Sequence, residues 1–141
     1  MHHTALIKWA AQKPRTVFLL DAIGAATSAF LLGVVLVHFQ SFFGIPINVL
    51  YILAVVPLGF VIYDIAVMVT QPEKYSFLLT GIAVLNISYC ILSLSLIGMH
   101  RQSATVFGRL YIIGEIMIVM SLAIFQLHVA RLLKSRTSDN F

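Results

Sequence analysis

Five residues in this chain are acidic, and three of them, Asp21, Asp64 and Glu115, stand inside long apolar runs. An ionisable group at membrane depth costs about 2.5–3.5 kcal/mol on insertion scales and faces protein or water rather than lipid. Carboxyls take up and release protons. Two at one level can share a proton, because like charges in a low-dielectric site do not both ionise cheaply. Asn86 and Tyr89 add an amide and a phenol from another apolar run. These five residues form a candidate proton or ion pathway, with one polar group or more from each run. A structural role is the competing reading. Asp21 is near the start of its run, where a helix macrodipole favours an anion and Arg15 or a basic tail residue could pair with it. Asp64 could bond hydroxyl or amide groups of neighbouring helices and act as packing glue.

The runs that must position these residues are long. The chain of 141 residues is 60% hydrophobic and 10% charged, with a mean hydropathy of +1.00. Its length fits one domain, 1–141, and its composition excludes an ordinary soluble protein. Four stretches, about 17–38, 47–69, 77–99 and 107–130, are long enough to cross a hydrocarbon core of about 30 Å as helices. The first is too long and lacks a cleavage site to be a signal peptide, so it is expected to stay in the mature chain. Before it, Leu6, Ile7, Trp9 and Ala10 suit a short amphipathic turn at the interface, ended by Pro14. The tail after Ala130 reads as basic, polar and frayed.

The first span carries Ala22, Gly24, Ala25, Ala26, Ser28 and Ala29, a nearly flat small-residue face. Such faces allow close helix approach in lipid, where dispersion drives association, so Gly24 and Ser28 are expected at a helix crossing. Pro57 in the second span leaves the Leu53 carbonyl without its helical donor and predicts a kink. Gly44 permits a tight turn before Pro46, which suits the opening turn of a helix. A polar turn around Pro72 separates the second and third spans.

With the N-terminus cytoplasmic, Lys8, Lys13, Arg15, Lys74, Arg131, Lys134 and Arg136 fall on that side, and only Arg101 and Arg109 on the other. This positive-inside bias places both termini in the cytoplasm. The expected fold is an all-α membrane protein, an antiparallel up-down-up-down four-helix transmembrane bundle. In it, Asp21 and Asp64 lie roughly 6–8 Å below the inner hydrocarbon surface, and Glu115 roughly 9–12 Å from the outer one. Tyr89 and Asn86 on the third span are the expected hydrogen-bond partners of Glu115.

Other chemistry finds little support. The net charge of +4 follows from topology rather than from a phosphate-binding face. His38 and His100 end the first and third spans on one side, but nothing completes a haem or metal ligand set, so no metal or cofactor is expected. There is no phosphate loop, nucleophile elbow, HExxH or CxxC. Cys90 lies in mid-span, a poor place for a thiolate nucleophile. An enzyme is disfavoured, with an intramembrane lipid-modifying activity at Asp64 or Glu115 left open.

Several stretches together resemble a family of small four-span bacterial inner-membrane proteins. They are Asp21 through Gly33, Phe43-Gly-Ile-Pro46 with Leu50-Tyr51, Tyr63-Asp64, Asn86 through Cys90, and Gly108 through Glu115. The resemblance implies a multi-pass protein of the bacterial inner membrane and carries no activity over. Two functions are therefore weighed: a small proton- or ion-linked transporter or accessory subunit, and a structural or assembly protein whose buried polar groups only specify packing. The expected partners are the lipid bilayer and either a second copy or another membrane protein, with no nucleic acid.

Overall fold

Apolar runs of this length form helices because each peptide group then finds its hydrogen bond within its own segment. The computed structural model describes residues 2–70 and 73–139, and every extended element among them is helical. A short N-terminal helix, His2–Gln12, precedes four long ones. These are the first span, Pro14–His38; the second, Ile47–Thr70; the third, Tyr75–Met99; and the fourth, the membrane-length part of Val106–Asp139. All four are long and apolar enough to cross a membrane. The polar turn expected at Pro72 lies outside the described residues, as do Met1, Gln71 and the last two residues of the chain.

The first span packs most closely on the second and the third on the fourth, while the first and fourth meet sparsely. Side chains tie the pairs together at both ends. At one end Gly44, with φ 69°, turns the chain in the left-handed region that glycine tolerates. Beside it Thr105 donates its backbone N–H to the Phe43 carbonyl (3.0 Å) and its hydroxyl to the Phe42 carbonyl (2.8 Å). The same hydroxyl accepts from the Gly108 N–H (3.2 Å) and so caps the fourth span. A Cβ on Gly108 would run into the Phe43 carbonyl. At the other end Tyr63 of the second span donates to the Leu78 carbonyl of the third (2.7 Å), and within the third–fourth pair Ser76 donates to the Ala130 carbonyl (2.8 Å).

Four features depart from expectation. Pro14 starts the first span, at its N-terminal turn; its missing N–H is one the helix leaves unpaired anyway. The N-terminal segment is a full helix laid on the fourth span, with Ala10 and Ala11 buried and Leu6 and Ile7 beside Ile124 and Phe125. The basic tail continues the fourth helix to Asp139, since no Gly or Pro follows Ala130 to stop it and Leu132 packs on the core.

The fourth concerns packing. Gly24 is not at a helix crossing: a Cβ there would meet nothing within 4 Å. Ser28 is half-buried rather than enclosed. The close approach falls at Gly33, whose added Cβ would lie 3.2 Å from the Ala54 Cβ on the second span. Gly33 sits in a single π-helical turn, Leu31–Val35. That turn shifts the phase of the helix and buries Leu32 and Leu36 together. Of the small-residue patch, Ala22 and Ala29 are buried and Ala25 packs on the core, while Gly24 and Ala26 stay exposed. Pro57 is buried inside an otherwise continuous second helix.

Candidate functional site

Two buried polar clusters occupy the interior, each drawing on several spans. In the first, Asp21, Asp64, Asn86 and Gln126 come from four different helices, and none is more than 4% exposed. Both amides converge on one oxygen. Asn86 Nδ2 donates to Asp21 Oδ1 at 2.8 Å, and Gln126 Nε2 donates to the same atom at 2.8 Å. Asn86 Nδ2 also lies 3.1 Å from Gln126 Oε1. The donors are neutral amides, and Arg15 stays exposed at the surface.

That leaves Asp21 Oδ2 and both oxygens of Asp64 without partners among the described residues. The Asp64 carboxyl is within hydrogen-bonding reach of that of Asp21. Two carboxylates offer only lone pairs to one another, whereas a proton on either supplies the missing donor. One proton shared by the two carboxyls would give the unpartnered oxygens a donor.

In the second cluster Tyr89 Oη lies 3.2 Å from the Leu53 carbonyl and 3.2 Å from Glu115 Oε1. Leu53 owns the carbonyl that Pro57 deprives of its helical donor. A phenol has one proton and cannot serve both acceptors at once. With a neutral Glu115 the chain closes: the carboxyl donates to Tyr89, and Tyr89 donates to Leu53. With a charged Glu115, Tyr89 turns to the carboxylate and the Leu53 carbonyl is stranded. The arrangement thus links the proline of the second span to the protonation of the fourth. Ser28 and Tyr111 flank Glu115, and Phe60 meets Tyr89 edge-on at 6.1 Å.

A cavity of about 60 Å³ lies between the clusters, lined by Asp21, Ser28, Pro57, Phe60, Asn86 and Tyr89 among others. It has room and polar partners for a short file of water molecules. Outside it, a groove of about 450 Å³ runs between the first and fourth spans, past Gly24, Thr27, Ser28, Tyr111, Gly114 and Glu115. Cavity and groove share the walls formed by Gly24, Ser28, Ile118 and Val119.

No protein family, curated protein or solved structure matches this chain. The functional reading therefore rests on the geometry.

Four helices do supply the polar interior, and the residues of the expected pathway fall into two clusters. Asn86 belongs with Asp21 and not with Glu115, whose partner on the third span is Tyr89. Sequence reasoning missed Gln126, the residue that completes the first cluster. It stands three helical turns beyond Glu115 on the same face of the fourth span, a spacing that marks it as interior. The histidines are engaged locally: His38 packs edge-on against Phe39, and His100 Nδ1 lies 2.9 Å from the Leu96 carbonyl. Among the described residues no group of three or more His, Cys, Asp or Glu is placed to hold a metal.

Proposed function

We propose that this chain is a small proton- or ion-linked transporter, or the accessory subunit of one, in the bacterial inner membrane. Its spans run up, down, up and down, with both termini in the cytoplasm. The observation that carries the reading is the buried Asp21–Asp64 pair, two carboxyls from different helices with three oxygens unpartnered. A buried acid pair is an expensive way to hold helices together, since a hydrocarbon pair would avoid the desolvation. Its use is to accept and release a proton. The adjoining cavity supplies polar contacts from that pair toward Tyr89, and Tyr89 leads to Glu115.

The experiment is proton flux in proteoliposomes, read by an entrapped pH dye, with Asp64→Asn. An amide at position 64 donates to the free Asp21 oxygen, so the fold is kept while the titrating group is lost. Flux is expected to fall to the level of empty liposomes, with the thermal melt unchanged. Undiminished flux in the variant would remove the pair from the pathway.

A structural or assembly role is favoured by one observation, the two amide bonds converging on Asp21 Oδ1, which join three spans without any titrating partner. On that reading, Asp64→Asn retains full biological activity.

The orientation is tested separately. A reporter fused after Phe141 is expected in the cytoplasm, and one inserted beside Ser103 on the opposite face. Both reporters on one side would break the up-down order, and equal populations in two orientations would contradict the charge bias.

A further inference from the structure

We infer that the groove between the first and fourth spans binds a protonated aliphatic amine that enters sideways from the bilayer. The inference deepens the transport reading by naming a substrate class, and it rests on that reading only where binding is coupled to proton release.

Size comes first. At about 450 Å³ the groove falls within the range that holds small organic ligands. Its rim is apolar and open to lipid, with Leu110 60% and Ile118 72% exposed. The space is not a helix contact left loose. Gly24 on one wall and Gly114 on the other would each accept a Cβ with nothing within 4 Å. These glycines serve no packing that the fold displays; what they provide is room.

Charge selects the ligand. Glu115 lines the groove, is 8% exposed, and keeps Oε2 without a hydrogen-bond partner among the described residues. No Lys or Arg is among the residues lining the groove, which leaves the acid free to receive a cation. Tyr111 lines the groove with it, an aromatic ring of the kind that attracts an ammonium, and Ser28 offers a hydroxyl acceptor. An aliphatic chain on the amine would lie along Leu31, Leu110 and Ile118, in the direction of the lipid. A neutral amphiphile would fit the walls and leave Glu115 unanswered. An anion would be repelled by it.

Binding has a defined proton balance. The ammonium N–H groups become donors to the Glu115 carboxylate, and where the carboxyl is neutral beforehand its proton is released to water. The Tyr89 hydroxyl then no longer receives a hydrogen bond from Glu115. Amine uptake and proton release are two sides of one exchange at one carboxyl.

The test uses the full chain in lipid nanodiscs, with dodecylamine as the probe and empty nanodiscs as the background. Equilibrium binding is measured together with the pH change of a weakly buffered sample. Saturable binding accompanied by acidification is expected. Glu115→Gln, which keeps the shape and the contact with Tyr89, and Gly114→Leu, which fills the groove from a position with open space, are each expected to weaken binding about tenfold or more. Dodecanol is expected not to compete. Thermal melts close to the parent establish that both variants fold. Unchanged binding in both folded variants, or competition by dodecanol equal to that of the amine, overturns the proposal. So does a nanodisc mass showing two chains whose pairing Gly114→Leu abolishes, because a second copy would then occupy the groove. Amine binding without proton flux in the parent protein leaves this site standing and removes the transport reading; flux without saturable amine binding does the reverse.

Discussion

Asp21→Leu is expected to unfold the bundle at markedly lower temperature than the parent, while Asp21→Asn is expected to melt close to it. The difference follows from which atom does the bonding. Asp21 Oδ1 takes both amide bonds, and Oδ2 takes none from the described residues. An asparagine keeps an oxygen for Asn86 and Gln126 and presents an amide to Asp64 where a lone pair stood. A leucine takes the shared acceptor from both amides, at about 1–3 kcal/mol for each bond lost, and leaves only the contact between Asn86 and Gln126. Interhelical hydrogen bonds in lipid average only about 0.6 kcal/mol, because unfolded helices find other partners. The higher figure applies here because both donors converge on one acceptor in a fully buried site. Thermal unfolding in bicelles, followed by circular dichroism, measures it. Equal melts for the Leu and Asn variants would show that the amide network does not hold the spans together. Because Asp21→Asn removes a carboxyl and spares the fold, it also separates proton function from packing independently of Asp64.

The second large effect is expected at Tyr89. Removing its hydroxyl in Tyr89→Phe leaves the Leu53 carbonyl with no donor, since Pro57 has no N–H to give. It also removes the hydroxyl that shares a hydrogen bond with Glu115. The expected loss is about 1–3 kcal/mol. Pro57→Ala provides the control, because an alanine restores the helical N–H to Leu53. If Tyr89 caps that carbonyl, Tyr89→Phe costs less when combined with Pro57→Ala, with a coupling of about 1 kcal/mol in a double-mutant cycle. Strict additivity would mean that the hydroxyl serves Glu115 alone. The same cycle read by proton flux asks whether Pro57 and the carboxyl act together. A hydroxyl poised between a proline-orphaned carbonyl and an acid can couple helix shape to protonation.

Much of this was legible in the chain by itself. The four apolar runs specify four long helices, because a bilayer-length segment satisfies its own peptide groups only that way. Asp21, Asp64 and Glu115 had to face inward, since lipid offers them no partner. The Leu53 carbonyl freed by Pro57 was also readable, as a consequence of one missing N–H four residues on. These are local or one-dimensional facts, fixed by composition, length and covalent chemistry. Partner identity was not of that kind. Each residue turns a helix by about 100°, so small changes of phase or register decide which side chains meet. The π turn at Leu31–Val35 is such a change. The close approach falls within it, at Gly33, while Gly24 and Ser28 wall a groove instead of a crossing. Register between the third and fourth spans likewise assigned Asn86 to Asp21 and Gln126, and Tyr89 to Glu115. Hydropathy therefore determined that this protein has a polar interior, and only the packing of four helices decided that the interior is two clusters with a cavity between them and an opening to lipid at one side.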